Sequence, residues 1–159
     1  METQVKARIE ELKKLDHEIP HKMEWVREWN NTVFFNDSKS SDLESTMYAL
    51  EKINGKVVWI MGSPSWEYDY EPIQEWMNTE KVAVFMFGEN NSYVKEELSP
   101  NARIFSSKPT LVEVLSEVKD FVSEFEDYTV LFSPARTTFD LYDSFRDRGE
   151  HFKSLIQNW

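Results

Sequence analysis

A short run of polar residues, 36–42, carries the groups in this chain that are best suited to binding a charged ligand. It reads Asn-Asp-Ser-Lys-Ser-Ser-Asp, follows the apolar residues 33–35 and precedes a helix that the sequence predicts from Leu43. A strand that ends in an acid, a lysine and hydroxyl groups just before a helix is a common way for α/β proteins to hold phosphates and polar small molecules. Residues 36–42 are therefore the first candidate functional site.

The same residues also have a purely structural interpretation. Ser41 followed three residues later by Glu44 is the pattern of a capping box, in which both side chains bond free amides of the first helical turn. An acid such as Asp37 also suits the positive end of a helix dipole, whereas Lys39 does not. Helix capping is the more common role for such a pattern, and Lys39 is the residue that it explains least.

Length, composition and charge narrow the possible classes of protein. With 159 residues, of which 40% are hydrophobic, the chain suits one globular domain with a sizeable core. A formal net charge of −11 disfavours nucleic acid and anionic membranes, and three histidines without any cysteine disfavour a zinc site. No apolar run approaches the roughly 18–20 residues of a membrane span, and the first residues lack the apolar core of a signal peptide. We predict a cytoplasmic monomer.

Hydrophobic periodicity predicts strands and helices that alternate after an initial hairpin. An amphipathic helix over 3–15 precedes a hairpin of residues 24–29 and 33–35, which Asn30 and Asn31 join. The later segments are predicted as helices over 43–53, 73–77, 93–98, 111–125 and 141–156, and as strands over 57–61, 82–87, 102–105 and 129–132. The predicted fold class is α/β, with an open, mostly parallel sheet, helices on both faces and an antiparallel hairpin at one edge.

Small polar loops follow the predicted strands after the hairpin turn. They comprise residues 37–39, 62–65, 88–91, 106–108 and 133–136. In a parallel sheet such loops meet at the carboxyl edge, where ligands bind. Because serine, aspartate and asparagine also cap helices, the composition alone does not separate a ligand edge from ordinary strand–helix connections.

Several common catalytic signatures are missing from the 159 residues. There is no phosphate-binding P-loop, no Gly-x-Gly-x-x-Gly after the first strand, and no recognisable Ser/His/Asp arrangement. The chain therefore cannot cradle a triphosphate alone in the usual way. Trp66, close to Tyr68 and Tyr70, is a candidate exposed stacking platform, although packing is the more common role for such residues.

Three segments carry a family resemblance. Residues 19–22, Ile-Pro-His-Lys, are similar to a Leu-Pro-His-Arg segment, and residues 36–42 are similar to Asn-Asp-Ser-Lys-Ala-Thr-Asn. Residues 131–140, running on to 145–152, are similar to Leu-Leu-Ser-Pro-Ala-Cys-Ala-Ser-Phe-Asp and Phe-Glu-Glu-Arg-Gly-Asp-x-Phe. Their order and spacing resemble those of the C-terminal domain of Mur ligases of the D-glutamate-adding type, from residue 19 onward.

The resemblance implies a Rossmann-like fold without a dinucleotide, which closes over a central ATPase domain and brings an amino acid to an acyl phosphate. By position, Lys22 and Asp37 would contact the nucleotide and Lys39 would lie near its phosphates. The acceptor amino acid would be held by Ser41, Thr138 and Phe145. Such a domain has only to position its reactants and complement their charge.

One loop departs from the family pattern. The family has a Gly-Gly-x-Asp-Lys-Gly type loop after the second parallel strand, and its lysine pairs with the side-chain carboxylate of the acceptor. Here residues 62–70 read Gly-Ser-Pro-Ser-Trp-Glu-Tyr-Asp-Tyr, with two acids and no cation. The change should weaken the binding of a dicarboxylate. One hypothesis is that Arg136, beside Thr138, supplies the missing positive charge.

The resemblance also implies an organisation and a function. Residues 1–18 would be the end of a helix from the central domain, and residues 19–159 the acceptor-binding domain. The expected function is to position D-glutamate or a related amino acid for ligation to UDP-N-acetylmuramoyl-alanine, in the synthesis of peptidoglycan precursors. ATP and Mg²⁺ would be bound mainly by other domains, without which this chain would be inactive. The alternative is a stand-alone or degenerate Mur-like binding module without catalysis.

Overall fold

The computed structural model describes residues 2–64, 66–138 and 141–159. The strands are β1 (Glu24–Trp29), β2 (Thr32–Asn36), β3 (Lys56–Gly62), β4 (Val82–Phe87), β5 (Phe105–Lys108) and β6 (Tyr128–Phe132). The helices are α1 (Glu2–Lys13), α2 (Leu43–Glu51), α3 (Glu71–Trp76), α4 (Ser92–Leu98), α5 (Leu111–Glu124) and α6 (Phe145–Gln157), with a 3-10 turn at Ser99–Asn101.

All six strands belong to one sheet, in the order β1-β2-β6-β3-β4-β5. β1 pairs antiparallel with β2, and the other neighbouring pairs are parallel. At the tip of the edge hairpin, Asn30 and Asn31 have φ values of 51° and 59°. A two-residue type I′ turn requires this left-handed conformation, which asparagine tolerates. The predicted α/β class, the mostly parallel sheet and the edge hairpin are all confirmed.

The four inner strands of the sheet, β2, β6, β3 and β4, are buried because helices cover both faces. On one face, α1, α2, α3 and α4 pack against inward residues such as Phe35, Trp59 and Met86. On the other face, α5 and α6 pack against residues such as Val58 and Phe132. Alternate residues of the strands thus enter opposite cores, which explains their continuous apolar sequences. Among the described residues, no helix is both long enough and apolar enough to cross a membrane.

Three local predictions are wrong. The strand predicted over 102–105 lies at Phe105–Lys108 instead; this edge strand is polar because it is half exposed, so apolar periodicity does not reveal it. The predicted capping box of Ser41 and Glu44 is replaced by a cap in which Asp42 accepts a hydrogen bond from the Ser45 amide at 2.7 Å. The last helix begins only at residue 145, because Ser144 caps it by accepting a hydrogen bond from the Asp147 amide.

Candidate functional site

The candidate site lies at the carboxyl ends of β2, β6 and β3, which are neighbours in the sheet. β2 leads into α2 on one face, whereas β6 leads towards α6 on the opposite face. The chain therefore leaves two adjacent strands in opposite directions, which is where open α/β sheets form a ligand crevice. The predicted loops 37–39, 62–64 and 133–136 do meet at this edge, whereas Ser65, Phe139 and Asp140 lie outside the described residues.

Asp37 is the centre of a buried hydrogen-bond network at this edge. Its carboxylate is 1% exposed and accepts hydrogen bonds from the Met23 amide at 3.0 Å, the Ser40 hydroxyl at 2.6 Å and the Ser133 hydroxyl at 2.7 Å. Burial raises the pKa of Asp37, while these hydrogen bonds act in the opposite direction. Thr46 of α2 extends the network, with its hydroxyl oxygen 2.7 Å from that of Ser133. Asp37 thereby ties the exit of β2 to the exit of β6.

Arg148 of α6 joins the same two exits from the other side. Its side chain is buried and donates hydrogen bonds to the hydroxyl and carbonyl oxygens of Ser38 and to the carbonyl oxygen of Arg136. Ser38 in turn donates from its hydroxyl to the carbonyl of Phe145 at 2.7 Å. Burial, reinforced by the charge of Arg136, lowers the pKa of Arg148 to about 10. Ser38 and Ser133 lie in the segments 36–42 and 133–136 that the sequence indicated, but their hydrogen-bond partners and the role of Thr46 have no sequence pattern that would reveal them.

His21 lies in the segment 19–22 and contacts residues of the other two segments that carry the family resemblance, Asn36 and Gly149. Its Nδ1 atom lies 2.8 Å from the side-chain nitrogen of Asn36, so the imidazole accepts there and carries its proton on Nε2, 3.5 Å from Glu150. Burial lowers the pKa of His21, which favours this neutral form. A Cβ atom on residue 149 would lie 2.8 Å from His21 Cε1 and closer still to Nδ1. Gly149 is therefore required for close contact between α6 and His21.

Arg136 lies across the ends of neighbouring strands. A Cβ atom on Gly62, at the end of β3, would lie 2.7 Å from the Arg136 Cγ atom, and one on Gly88, after β4, would lie 3.3 Å from Nη1. The side chain is 6% exposed, and its Nε atom donates to the Thr137 carbonyl at 3.1 Å. Two glycines thus leave room for a guanidinium at the exits of β3 and β4.

The predicted nucleotide-binding residues line one cleft beside α2. Lys22, Asp37 and Lys39 contribute to a cleft of about 370 Å³, whose other lining residues include His17 and Tyr48. Lys39 is exposed, and its amide donates to the His21 carbonyl at 2.8 Å. The cleft therefore brings two flexible cations to the buried Asp37. No group of acids and histidines suited to a metal ion occurs in the described part of the chain.

The predicted acceptor-binding residues are spread around the same edge. Ser41 is half-buried just before α2, and its hydroxyl lies 3.4 Å from the Lys39 carbonyl. Thr138 and Phe145 are also half-buried, and Phe145 is the first residue of α6. Ser41 thus follows β2, whereas Thr138 and Phe145 follow β6, the strand that neighbours β2 in the sheet.

The loop after β3 forms an aromatic ladder. The ring centroids of Trp66 and Tyr68 are 5.6 Å apart, those of Tyr68 and Tyr70 are 6.1 Å apart, and Tyr70 continues to Tyr93 at 6.1 Å. Trp66 is 49% exposed while Tyr70 is 1% exposed, so the ladder runs from the surface into the core. Trp66 is therefore exposed, as a stacking platform requires, whereas Tyr70 at the other end of the loop is packed in the core.

A groove of about 650 Å³ lies between α2 and α3, beside this ladder. Its apolar lining is formed by Leu43, Met47, Tyr48, Tyr68, Pro72 and Ile73. The acids in its lining are Asp42, Glu44, Glu51 and Asp69. Burial raises the pKa of Tyr68, and the negative charge of Asp42 adds to that shift.

Comparison with known proteins is consistent with the three resembling segments. No family model matches the chain. It is 29% identical over 143 residues to UDP-N-acetylmuramoylalanine–D-glutamate ligase of Prochlorococcus marinus, covering 89% of this chain and 30% of that protein. It is 31% identical over 144 residues to the ligase of the same name from Christiangramia forsetii, covering 88% of this chain and 31% of that protein. The chain thus spans about a third of the length of these curated relatives.

Solved structures support the same fold. The chain superposes on MurF from Acinetobacter baumannii with a TM-score of 0.57 and 15% identity, covering 87% of this chain and 30% of that one. At this identity the likeness concerns the fold alone. Sequence similarity along most of this chain, together with the shared fold, shows that the chain corresponds to the C-terminal portion of Mur ligases.

Proposed function

We propose that this chain is the acceptor-binding domain of an ATP-dependent ligase that joins an amino acid to UDP-N-acetylmuramoyl-alanine in peptidoglycan precursor synthesis. The observation that carries the proposal is the cleft at the crevice of the sheet, where Lys22 and Lys39 lie beside Asp37. The curated relatives are named for D-glutamate, and we propose D-glutamate or a related amino acid as the acceptor. The reaction would take place in the cytoplasm, where ATP is available.

On the nucleotide side, Lys22 and Lys39 would complement phosphate charge. Lysine suits this role because its ammonium group is a compact charge on a flexible stem. Asp37 would act there by holding the loop rather than by repelling phosphate, since three hydrogen bonds already satisfy its carboxylate. Mg²⁺ and most of the nucleotide contacts would come from domains outside this chain, which has no P-loop in its sequence.

On the acceptor side, Ser41 and Thr138 would offer hydroxyl groups, Phe145 an apolar wall and Arg136 a positive charge. The position of Arg136 over Gly62 supports this role, because it brings a cation to the exit of β3, whose loop has no basic residue. The chemical contribution would be positioning: the domain would hold the amine in line with an acyl phosphate formed elsewhere. We therefore propose that residues 19–159 act only together with the other domains, with residues 1–18 as the connection.

The nucleotide half of this proposal can be tested by NMR titration of the ¹⁵N-labelled chain with ATP and Mg²⁺. We expect amide shifts confined to residues 22, 37–45 and their neighbours. The Lys39→Ala variant should bind about three- to tenfold more weakly, because a partly exposed cation–phosphate contact contributes modestly. Lys95→Ala, on the exposed side of α4, is the matched control. Equal affinity of all variants for ATP would contradict the assignment.

A second candidate function is a Mur-like binding module without catalysis. It is favoured by the loop after β3, where Glu67 and Asp69 stand in a segment without a cation. Calorimetric titration of the intact protein with D-glutamate and with nucleotide separates the two functions: heat with both would support the ligase, and no heat with either would favour the binding module. The Arg136→Ala variant tests the smaller point, because unchanged acceptor affinity would remove Arg136 from the site.

A further inference from the structure

We propose, building on the function proposed above, that the nucleotide lies along α2 with its base stacked on Tyr48 and its ribose beside Glu44. The proposed function places the phosphates near Lys22 and Lys39 and assigns no residue of this chain to the base. Tyr48 would therefore be a positioning residue for the nucleotide. The inference rests on the lining of the cleft, on the order of its residues along α2 and on the way the Tyr48 ring is held.

The Tyr48 side chain offers an open aromatic surface at the cleft. It belongs to the lining of the cleft of about 370 Å³, and the residue is 58% exposed. Lys52, one turn later, has its Nζ atom 4.3 Å from the centre of the Tyr48 ring, and the same atom lies 3.0 Å from His17 Nε2. The ammonium group thus holds one face of the ring, and the exposure of the residue leaves ring surface free for a ligand. A planar base stacks on such a surface.

Three lining residues follow one another in the order of the parts of a nucleotide. Lys39 lies in the loop just before α2, Glu44 in the first turn of the helix and Tyr48 one turn further on. Residues four apart lie on the same face of a helix, so Glu44 and Tyr48 are neighbours. With a rise of about 1.5 Å per residue, Tyr48 lies about 7 Å beyond Leu43, where the helix begins. A ribose bridges a distance of this size between phosphate and base.

The charges of the cleft favour this direction of the nucleotide over the reverse. Phosphates are attracted to the first amides of α2, where the helix dipole is positive and Lys39 adds a cation. Lys22 and Lys39 belong to the lining, whereas Lys52 at the Tyr48 end does not. The Glu44 carboxylate would repel a phosphate beside it, but it can accept hydrogen bonds from ribose hydroxyls, as acids do in other nucleotide sites.

The position of the base is tested by NMR titration of the ¹⁵N-labelled chain with ATP and with inorganic tripolyphosphate, both with Mg²⁺. The Tyr48→Ala variant should bind ATP at least about fivefold more weakly and tripolyphosphate equally well, because only ATP carries a base. Tyr48→Phe keeps the ring and should bind both ligands as the wild type does. The control, Trp66→Ala, removes an exposed aromatic ring outside the cleft and should change neither affinity.

The outcomes separate this inference from the proposed function. Unchanged ATP affinity in Tyr48→Ala, or an equal loss for ATP and tripolyphosphate, would overturn the inference and leave the nucleotide cleft standing. A loss in Trp66→Ala as large as that in Tyr48→Ala would do the same. A wild-type chain that responds to neither ligand would overturn the nucleotide half of the proposed function, and this inference with it.

The position of the ribose is tested with 2′,3′-dideoxyadenosine triphosphate, which lacks both hydroxyl groups. The wild type should prefer ATP, and Glu44→Gln should reduce that preference at least about threefold, because a carboxylate accepts a stronger hydrogen bond than an amide does. Comparing two triphosphates cancels any effect of the variant on phosphate binding. Glu51→Gln, at the other end of α2 and outside the cleft, is the control for net charge. An undiminished preference in Glu44→Gln would overturn the proposed direction of the nucleotide.

Discussion

Arg148 holds Ser38 through two hydrogen bonds: Nη2 donates to the Ser38 carbonyl at 2.6 Å and Nε donates to its hydroxyl at 3.0 Å. A third bond, from Nη1 to the Arg136 carbonyl at 2.9 Å, makes one guanidinium fix the exits of two strands. Arg148, Asp37 and Gly149 all lie in the segments that carry the family resemblance, and all three have a structural role. The presence of these segments is therefore direct support for the fold and only indirect support for ligand binding.

Removing the Arg148 side chain should destabilise the fold strongly. We expect Arg148→Ala to lower the free energy of unfolding by about 3–5 kcal/mol, because hydrogen bonds from a charged donor are lost and two carbonyl oxygens lose a partner. Arg148→Lys keeps the charge but cannot form the three-way fork, so it should cost less. Urea denaturation measures both. A loss below about 1 kcal/mol for the alanine variant would contradict this role.

Asp37→Asn and Asp37→Ala should differ sharply. The asparagine oxygen can accept from Met23, and its amide can donate to the hydroxyls of Ser40 and Ser133. Because burial already disfavours the charged carboxylate, we expect Asn to change the unfolding free energy by less than about 1 kcal/mol, and Ala to cost about 3 kcal/mol. Thermal unfolding of the three proteins provides the measurement. Equal losses would show that the negative charge itself is needed.

Gly149→Ala should cost about 1–3 kcal/mol because the added methyl group would collide with the His21 ring. Shortening His21 to alanine should relieve that collision. A double-mutant cycle of these two positions is therefore expected to show a favourable coupling, measured by chemical denaturation. If the losses of the two single variants were strictly additive, the added methyl group would not be strained against His21. It would then collide with another group, for example the Asn36 side chain, which lies 3.0 Å from the same methyl position.

Stability should fall as the pH falls through the range in which histidine titrates. At neutral pH His21 is uncharged in both states; below about pH 6.5 the unfolded chain binds a proton that the buried imidazole resists, so protonation favours unfolding. We expect the loss to begin near that pH and to continue until the lower pKa of the folded state is reached. Denaturation of the wild type and of His21→Gln between about pH 5.5 and pH 8 isolates the contribution. Parallel pH profiles would contradict it.

The sequence allowed most of the fold to be predicted because its buried strands are continuous apolar runs. β4 lies at the predicted residues 82–87, and β3 and β6 are each extended by one or two residues. β5 was missed by three residues because an edge strand carries polar side chains and so has no apolar periodicity. The start of α2 was predicted correctly at Leu43, but its capping residue was not, because Ser41 and Asp42 are both suitable caps.

The site was predictable in its location but not in the partners of its residues. Strand exits indicate the carboxyl edge, and the structure brings Lys22, Asp37 and Lys39 to one cleft there. That Asp37 is enclosed by Ser40 and Ser133 depends on which strand neighbours β2. This pairing joins residues 96 positions apart, and local sequence patterns do not encode it.

The insertion of β6 between β2 and β3 has a consequence for how the chain acquires its structure. Until β6 is in place, β2 is hydrogen-bonded only to β1, and the three strands β3, β4 and β5 have no strand connecting them to that hairpin. Closure of the sheet must therefore await the segment 128–132, and it requires contacts of long sequence separation, which slow folding. During synthesis on the ribosome, both exposed strand edges would remain open to misassociation until residues 128–132 have emerged.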